Sequence, residues 1–108
     1  MAVNAPKSIL DYYEAKNRHD LDGMIAPFAA DAVVYDEKKT YKGRAAIRAW
    51  MEETTRKYAV TVEPETADDE GEALAVRAMV SGNFPGSPAR LTYRFRLRGN
   101  EIAGLSIG

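Results

Sequence analysis

Near residue 59 the spacing of apolar side chains changes from about four residues to two, and this switch limits the fold more than any other feature of the chain. A period near four places side chains on one stripe of a helix, and a period of two places them on one face of a strand. In the first half, Ile9, Leu10, Tyr13 and Asn17 recur at helical spacing behind Ala5-Pro6. Proline loses no hydrogen bond at a helix entrance, so the spacing predicts a helix over about 6–18. Asp20 can accept the free amides of a second, short helix carrying Leu21, Met24, Ile25 and Phe28, with Pro27 near its end.

Residues 32–35 read as a short β-branched strand, and 36–40 as an exposed polar turn leading to Tyr41. A third helix starts at Gly43 or Arg44, with Ile47, Trp50, Met51, Thr54 and Tyr58 on its apolar stripe and Arg48, Glu52, Glu53, Arg56 and Lys57 on the wet side. Beyond the switch, Val60 and Val62 open a strand and 68–71 form a polar turn. Leu74, Val76, Ala78 and Val80 then share one face of the next strand. Leu91, Tyr93, Phe95 and Leu97 alternate with Thr92, Arg94, Arg96 and Arg98, which fixes the register of that strand. Gly99-Asn100 suits a tight hairpin before a closing strand over 102–107. The order predicts an α+β domain, with three N-terminal helices packed on one face of a curved antiparallel sheet.

One domain accounts for all 108 residues, with no internal repeat or linker. Fifteen basic against sixteen acidic residues give a net charge of -1, which argues against nucleic acid as a partner. The chain has no cysteine and one histidine, His19, so neither a structural metal nor a disulfide is expected. No window approaches the ~20 apolar residues of a membrane span, and Met1 to Lys7 lacks the apolar segment of a leader. The expectation is a cytoplasmic protein that binds no membrane.

Several motifs recur together in this order: Asn17-Arg-His-Asp20, the run Phe28-Ala-Ala-Asp-Ala-Val-Val-Tyr-Asp36, the helix start Gly43-Arg-Ala-Ala-Ile47, and the final strands from Tyr93 to Ile107. In these the chain resembles the NTF2-like superfamily, in its SnoaL-like and ketosteroid-isomerase-like branches. Val80-Ser-Gly-Asn-Phe-Pro-Gly-Ser-Pro88 also resembles a loop of bacterial members. The resemblance implies a cone-shaped α+β barrel with an apolar pocket at its open end, no cofactor, and a homodimer. Ala75, Met79 and Tyr93, on strand faces that one sheet side cannot all bury, agree with a dimer. Carried over residue by residue, it sets Asp36 at the general base of the isomerases and Tyr12 at the tyrosine of the oxyanion hole. Phe28 and Met51 fall where two supporting tyrosines stand, and Tyr93 where a protonated acid stands. Steroid isomerisation itself is therefore not implied.

A carboxylate at the end of a strand, ringed by Phe28, Trp50, Met51 and Phe95, would be partly desolvated and a stronger base. Asp36 could equally cap a turn on the amides of Lys38 or Lys39. Helical phase puts Tyr13 toward the core, whereas the resemblance favours Tyr12 as the pocket group, and both readings stand. The expected site is thus Asp36 and Tyr12 for catalysis, with Tyr13, Phe28, Trp50, Met51, Tyr93 and Phe95 binding a small apolar molecule. His19 reads as an exposed turn residue, the arginines 94, 96 and 98 as a solvent-facing or interface row, and 68–70 as a solvated tip rather than a calcium loop. The function expected is isomerisation, cyclisation or dehydration of a small apolar carbonyl compound by proton transfer. The alternative is a non-catalytic ligand-binding or dimerisation module.

Overall fold

The computed structural model describes residues 4–108; the expectation of no leader also concerns Met1, Ala2 and Val3, which lie outside the described residues. The elements run α1 (Lys7–Asn17), α2 (Leu21–Ile25), β1 (Phe28–Asp36), β2 (Lys39–Lys42), α3 (Arg44–Tyr58), β3 (Thr61–Asp69), β4 (Leu74–Ser81), β5 (Ala89–Arg98) and β6 (Glu101–Ile107). The six strands form one sheet in the order β2-β1-β6-β5-β4-β3. The sheet is mixed, not antiparallel throughout: β6 lies between β1 and β5, antiparallel to β5 and parallel to β1. Hairpin logic ties each strand to its sequence neighbour, and it carries no information on how the first strand meets the last.

Two further expectations are corrected. Phe28 does not end α2 but opens β1, where Ile102 N–H donates to Pro27 O at 2.8 Å and Phe28 stands opposite Ile102. The stretch Ala29-Ala30-Asp31 lacks β-branched residues, and tertiary pairing rather than propensity makes it a strand. Residues 39–42 likewise form a strand, because the turn shrinks to Glu37 and Lys38, both with positive φ (52° and 65°), and Asp36 pairs with Lys39. A two-residue loop of this hand matches the twist of the strands it joins, although it holds two side chains in a region that favours glycine.

Register shifts in β1 between Phe28 and Val33, in β3 between Pro64 and Thr66, and at the β5–β6 pair after Arg96 bend the sheet. The three helices contribute the rest of the core, in which Ile9, Tyr12, Met24, Phe28, Ile47, Met51, Phe95 and Ile102 are fully buried. On α1 the buried stripe is Ile9, Tyr12, Tyr13 and Lys16, and Leu10 is exposed. Both tyrosines are therefore interior. Asp20 caps α2 by accepting from Gly23 N–H at 3.1 Å, and a Cβ on Gly23 would collide with that carboxylate and with Ala15. Among the described residues no helix is long and apolar enough to cross a membrane.

The end of α1 is clamped to β3 by one side chain. Asn17 Nδ2 donates to Val62 O at 2.8 Å and its Oδ1 accepts from Val62 N–H at 2.7 Å. Removing it strands two backbone groups that are partly buried. Asn17→Ala should lower the unfolding free energy by roughly 1–3 kcal/mol in urea titration, and a change within about 0.5 kcal/mol would show that the clamp contributes nothing.

Candidate functional site

Between the second half of α3 and the concave face of the sheet, the side chains fail to fill the space, and a cavity of about 400 Å³ remains. Its wall takes Lys16 from α1, Asp36 from the end of β1, Glu37 beyond it, and Trp50, Thr54 and Tyr58 from α3. Val60, Val80, Leu91, Tyr93 and Ile107 supply the sheet side, and Phe84 and Pro85 of the β4–β5 loop form the rim. That loop is tied down: Asn83 N–H donates to Tyr58 O at 2.7 Å, and the Phe84 ring meets the edge of Tyr58 at 6.0 Å. Gly82 is required there, since a Cβ would lie 2.6 Å from Tyr58 O.

Asp36 enters the cavity because β1 ends at the tight turn and α3 crosses over it. Its Oδ2 accepts a hydrogen bond from Trp50 Nε1 at 3.1 Å, so the indole holds the carboxylate instead of serving only as a core anchor. The turn reaches Asp36 through the Glu37 backbone rather than through the amides of Lys38 or Lys39. The half-buried carboxyl is pushed above its usual value, chiefly by burial and further by Glu37; the Trp50 bond and the Lys16 charge oppose the shift.

Lys16 is the second ionisable group. Only 7% of it is exposed, and among the described residues it makes no ion pair and no side-chain hydrogen bond. Its Nζ lies 5.7 Å from the Tyr12 ring centroid and 5.9 Å from that of Trp50. Burial lowers its pKa to about 8, against a small opposing pull from Asp36. Sequence reasoning missed this residue, yet the signal was present: positions 9, 12, 13 and 16 form one helical stripe, and a lysine on a buried stripe has nowhere to go but inward. The burial of Tyr93 raises its phenol, and Asp36 adds to that shift.

Of the expected site residues, Asp36, Trp50 and Tyr93 meet on the cavity wall. Tyr12, Tyr13, Phe28, Met51 and Phe95 lie in the core beneath it. There Tyr12 packs edge-on to Phe28 and Phe95 at 5.6 and 5.9 Å. Among the described residues the buried hydroxyls of Tyr12 and Tyr13 have no partner, and burial raises both phenols. A wider groove of about 630 Å³ runs between α1 and the β5–β6 turn. Its charged residues are exposed and paired, as in Lys7 with Asp11 at 2.7 Å and Arg18 with Glu14 at 2.8 Å, so it offers no desolvated chemistry. Two arginines of the row are paired as well, Arg94 with Glu70 and Arg98 with Asp31.

The model of the SnoaL-like domain matches residues 9–104. The chain belongs to the SnoaL-like family. A candidate polyketide cyclase from Sinorhizobium meliloti is similar to it, with 37% identity, a TM-score of 0.93 and coverage of 97% of this chain and 96% of that one. Another candidate polyketide cyclase, from Xanthomonas campestris, shares 25% identity with a TM-score of 0.77, covering 93% and 85% of the two chains. A protein of ketosteroid isomerase-like fold from Catenulispora acidiphila, 23% identical over 97% of this chain and 86% of that one, shares the fold at a TM-score of 0.83. No curated protein matches the sequence. The NTF2-like, SnoaL-like assignment thus holds for nearly the whole chain.

In this SnoaL-like domain the buried ammonium should reduce stability at neutral pH. Folding lowers the Lys16 pKa from 10.5 to about 8, so the penalty is absent above the unfolded value, grows as pH falls between the two, and is complete below the folded one. Lys16→Met should raise the unfolding free energy at pH 7 by roughly 1–3 kcal/mol, and the gain should shrink as pH rises from about 8 and be lost above 10.5. Equal stability of the two proteins across that range, measured by denaturant titration, would contradict the burial of the charge.

Proposed function

We propose that the protein catalyses proton transfer on a small apolar carbonyl compound, of the kind that isomerises, cyclises or dehydrates it, with Asp36 as the base. The observation that carries this reading is the Asp36 carboxylate, held by Trp50 at 3.1 Å on the wall of an otherwise largely apolar cavity. Desolvation strengthens it as a base, while the indole bond fixes the oxygen that is not free to react. A volume of about 400 Å³ suits a small ligand.

Proton removal next to a carbonyl builds charge on its oxygen, and a donor must meet that charge. Tyr12, the tyrosine that the family resemblance favours, is fully buried and off the cavity wall. The donor role therefore passes to Tyr93, which faces the same space as Asp36. The cyclase names carried by the Sinorhizobium and Xanthomonas proteins support this class of reaction.

Asp36→Asn keeps the shape and the Trp50 neighbour but removes the base. Exchange of α-protons, followed by NMR on a panel of small enolisable ketones, should slow by roughly 10²–10⁴-fold. In the unsubstituted protein the rate should rise with pH through a midpoint above 3.8, the ordinary carboxyl value. Unchanged exchange in the variant removes Asp36 from the chemistry; retention of an apolar ligand in that case identifies a binding module.

A further inference from the structure

Lysines almost always keep their ammonium in water, with the stem alone lying along apolar surface. Lys16 instead buries its stem and nearly all of its head, and its Nζ is left facing the cavity. Its side chain is more than nine-tenths buried, it has no carboxylate in an ion pair and no hydrogen-bond acceptor among the described residues, and it reaches the wall of the cavity. Two aromatic faces, Tyr12 and Trp50, are its nearest compensation. Contacts of that kind are worth at most about 2 kcal/mol, less than the loss of an ammonium's hydration. An amine left this way is suited to a partner that arrives with the ligand.

We propose that Lys16 is a carbonyl-capturing residue, whose amine condenses with the aldehyde or ketone group of a ligand in the cavity to form an imine. The nitrogen lone pair attacks the carbonyl carbon, the C=O pair moves to oxygen, and a proton passes from nitrogen to that oxygen. The carbinolamine then takes up a second proton on oxygen, the C–O bond breaks, and water leaves as the C=N bond forms. No oxidant or reductant is needed. Solvent supplies and takes back the second proton, so the condensation does not require Asp36. The iminium that results is a stronger electron sink than the parent carbonyl, so capture and proton removal would act on the same substrate.

The reactive form is the neutral amine. With a pKa of about 8, about half of Lys16 is neutral at pH 8, whereas an exposed lysine near 10.4 is below about 1% neutral. The titratable groups around it are Asp36 and Glu37 at the end of β1, Tyr58 on α3, Tyr93 on β5 and Tyr12 on its own helix. Asp36 pulls its pKa upward, and burial outweighs that pull. The proposal uses the same cavity as the proton-transfer reading but does not need Asp36 to be the base, and the two can fail separately.

The test is reductive trapping with benzaldehyde and sodium cyanoborohydride, followed by digestion and mass spectrometry of each lysine peptide. The α-amino group also reacts and is resolved by the digest. Lys16 should be benzylated at least about tenfold faster at pH 8 than Lys7, Lys38, Lys39, Lys42 or Lys57, with a rate midpoint near 8. Asp36→Asn should retain the selective label even where it abolishes proton exchange, and Lys16→Arg should lose it. The comparison among lysines within the unsubstituted chain decides the matter even if a variant fails to fold. Labelling of Lys16 no faster than that of the exposed lysines overturns the proposal.

Discussion

The placement of β6 between β1 and β5 is the constraint on which the rest depends. It sets the first strand between β2 and β6 through the one parallel pairing, so β1 runs from the Pro27–Ile102 bond toward the end of the sheet where Asp36 stands. The register shifts on the neighbouring ladders bend the strands. The helices cover the deep part of the concave face, where Tyr12, Phe28, Ile47, Met51 and Phe95 close the core. Toward the Asp36 end the side chains of α3, the sheet and the β4–β5 loop leave a cavity. Its location follows from strand order and curvature; its chemistry follows from which residues happen to end β1 and face inward from α1.

Two opposite charges share that apolar wall without forming an ion pair. Each is costly to bury, and each moderates the shift of the other: Lys16 pulls the Asp36 carboxyl down, and Asp36 pulls the Lys16 amine up. Burial still dominates both, so the carboxyl becomes a stronger base and the amine a weaker acceptor of protons. The turn beside them adds strain, since Glu37 and Lys38 both occupy the left-handed region. Strain of that sort at the mouth of a cavity, with desolvated ionisable groups, is the pattern of a site in which stability has been given up for reactivity.

How much of this was legible in the sequence depends on whether the signal was local. The stripe of α3 and the alternation of β5 were plain, because one face of each element is buried and period alone then fixes the phase. The hairpin at 99–100 was equally plain from turn composition, whereas the turn expected at 68–71 forms at 70–73, because Asp68 and Asp69 pair with Ala75 and Leu74 and extend β3. The parallel β1–β6 pair was not, since it joins residues about seventy apart in the chain with no turn between them to mark it. The Glu37-Lys38 turn carries neither glycine nor asparagine, so the strand after it looked like loop. Among the site residues, Trp50 was expected in the ring around Asp36, and only the fold shows that the two are joined by a hydrogen bond. Lys16 was hidden by its own residue type, although its helical phase pointed inward.

The central claim is that a desolvated carboxylate at residue 36 is held by an indole inside a cavity. The Trp50 indole proton reports on this directly, because the chain has one tryptophan and its Nε1 donates to Asp36 Oδ2. In a pH titration by ¹H–¹⁵N NMR, that resonance should move as the carboxyl takes up a proton, with a midpoint above the ordinary value of 3.8. A resonance that does not respond to pH, or one that moves with a midpoint at or below 3.8, would contradict the account.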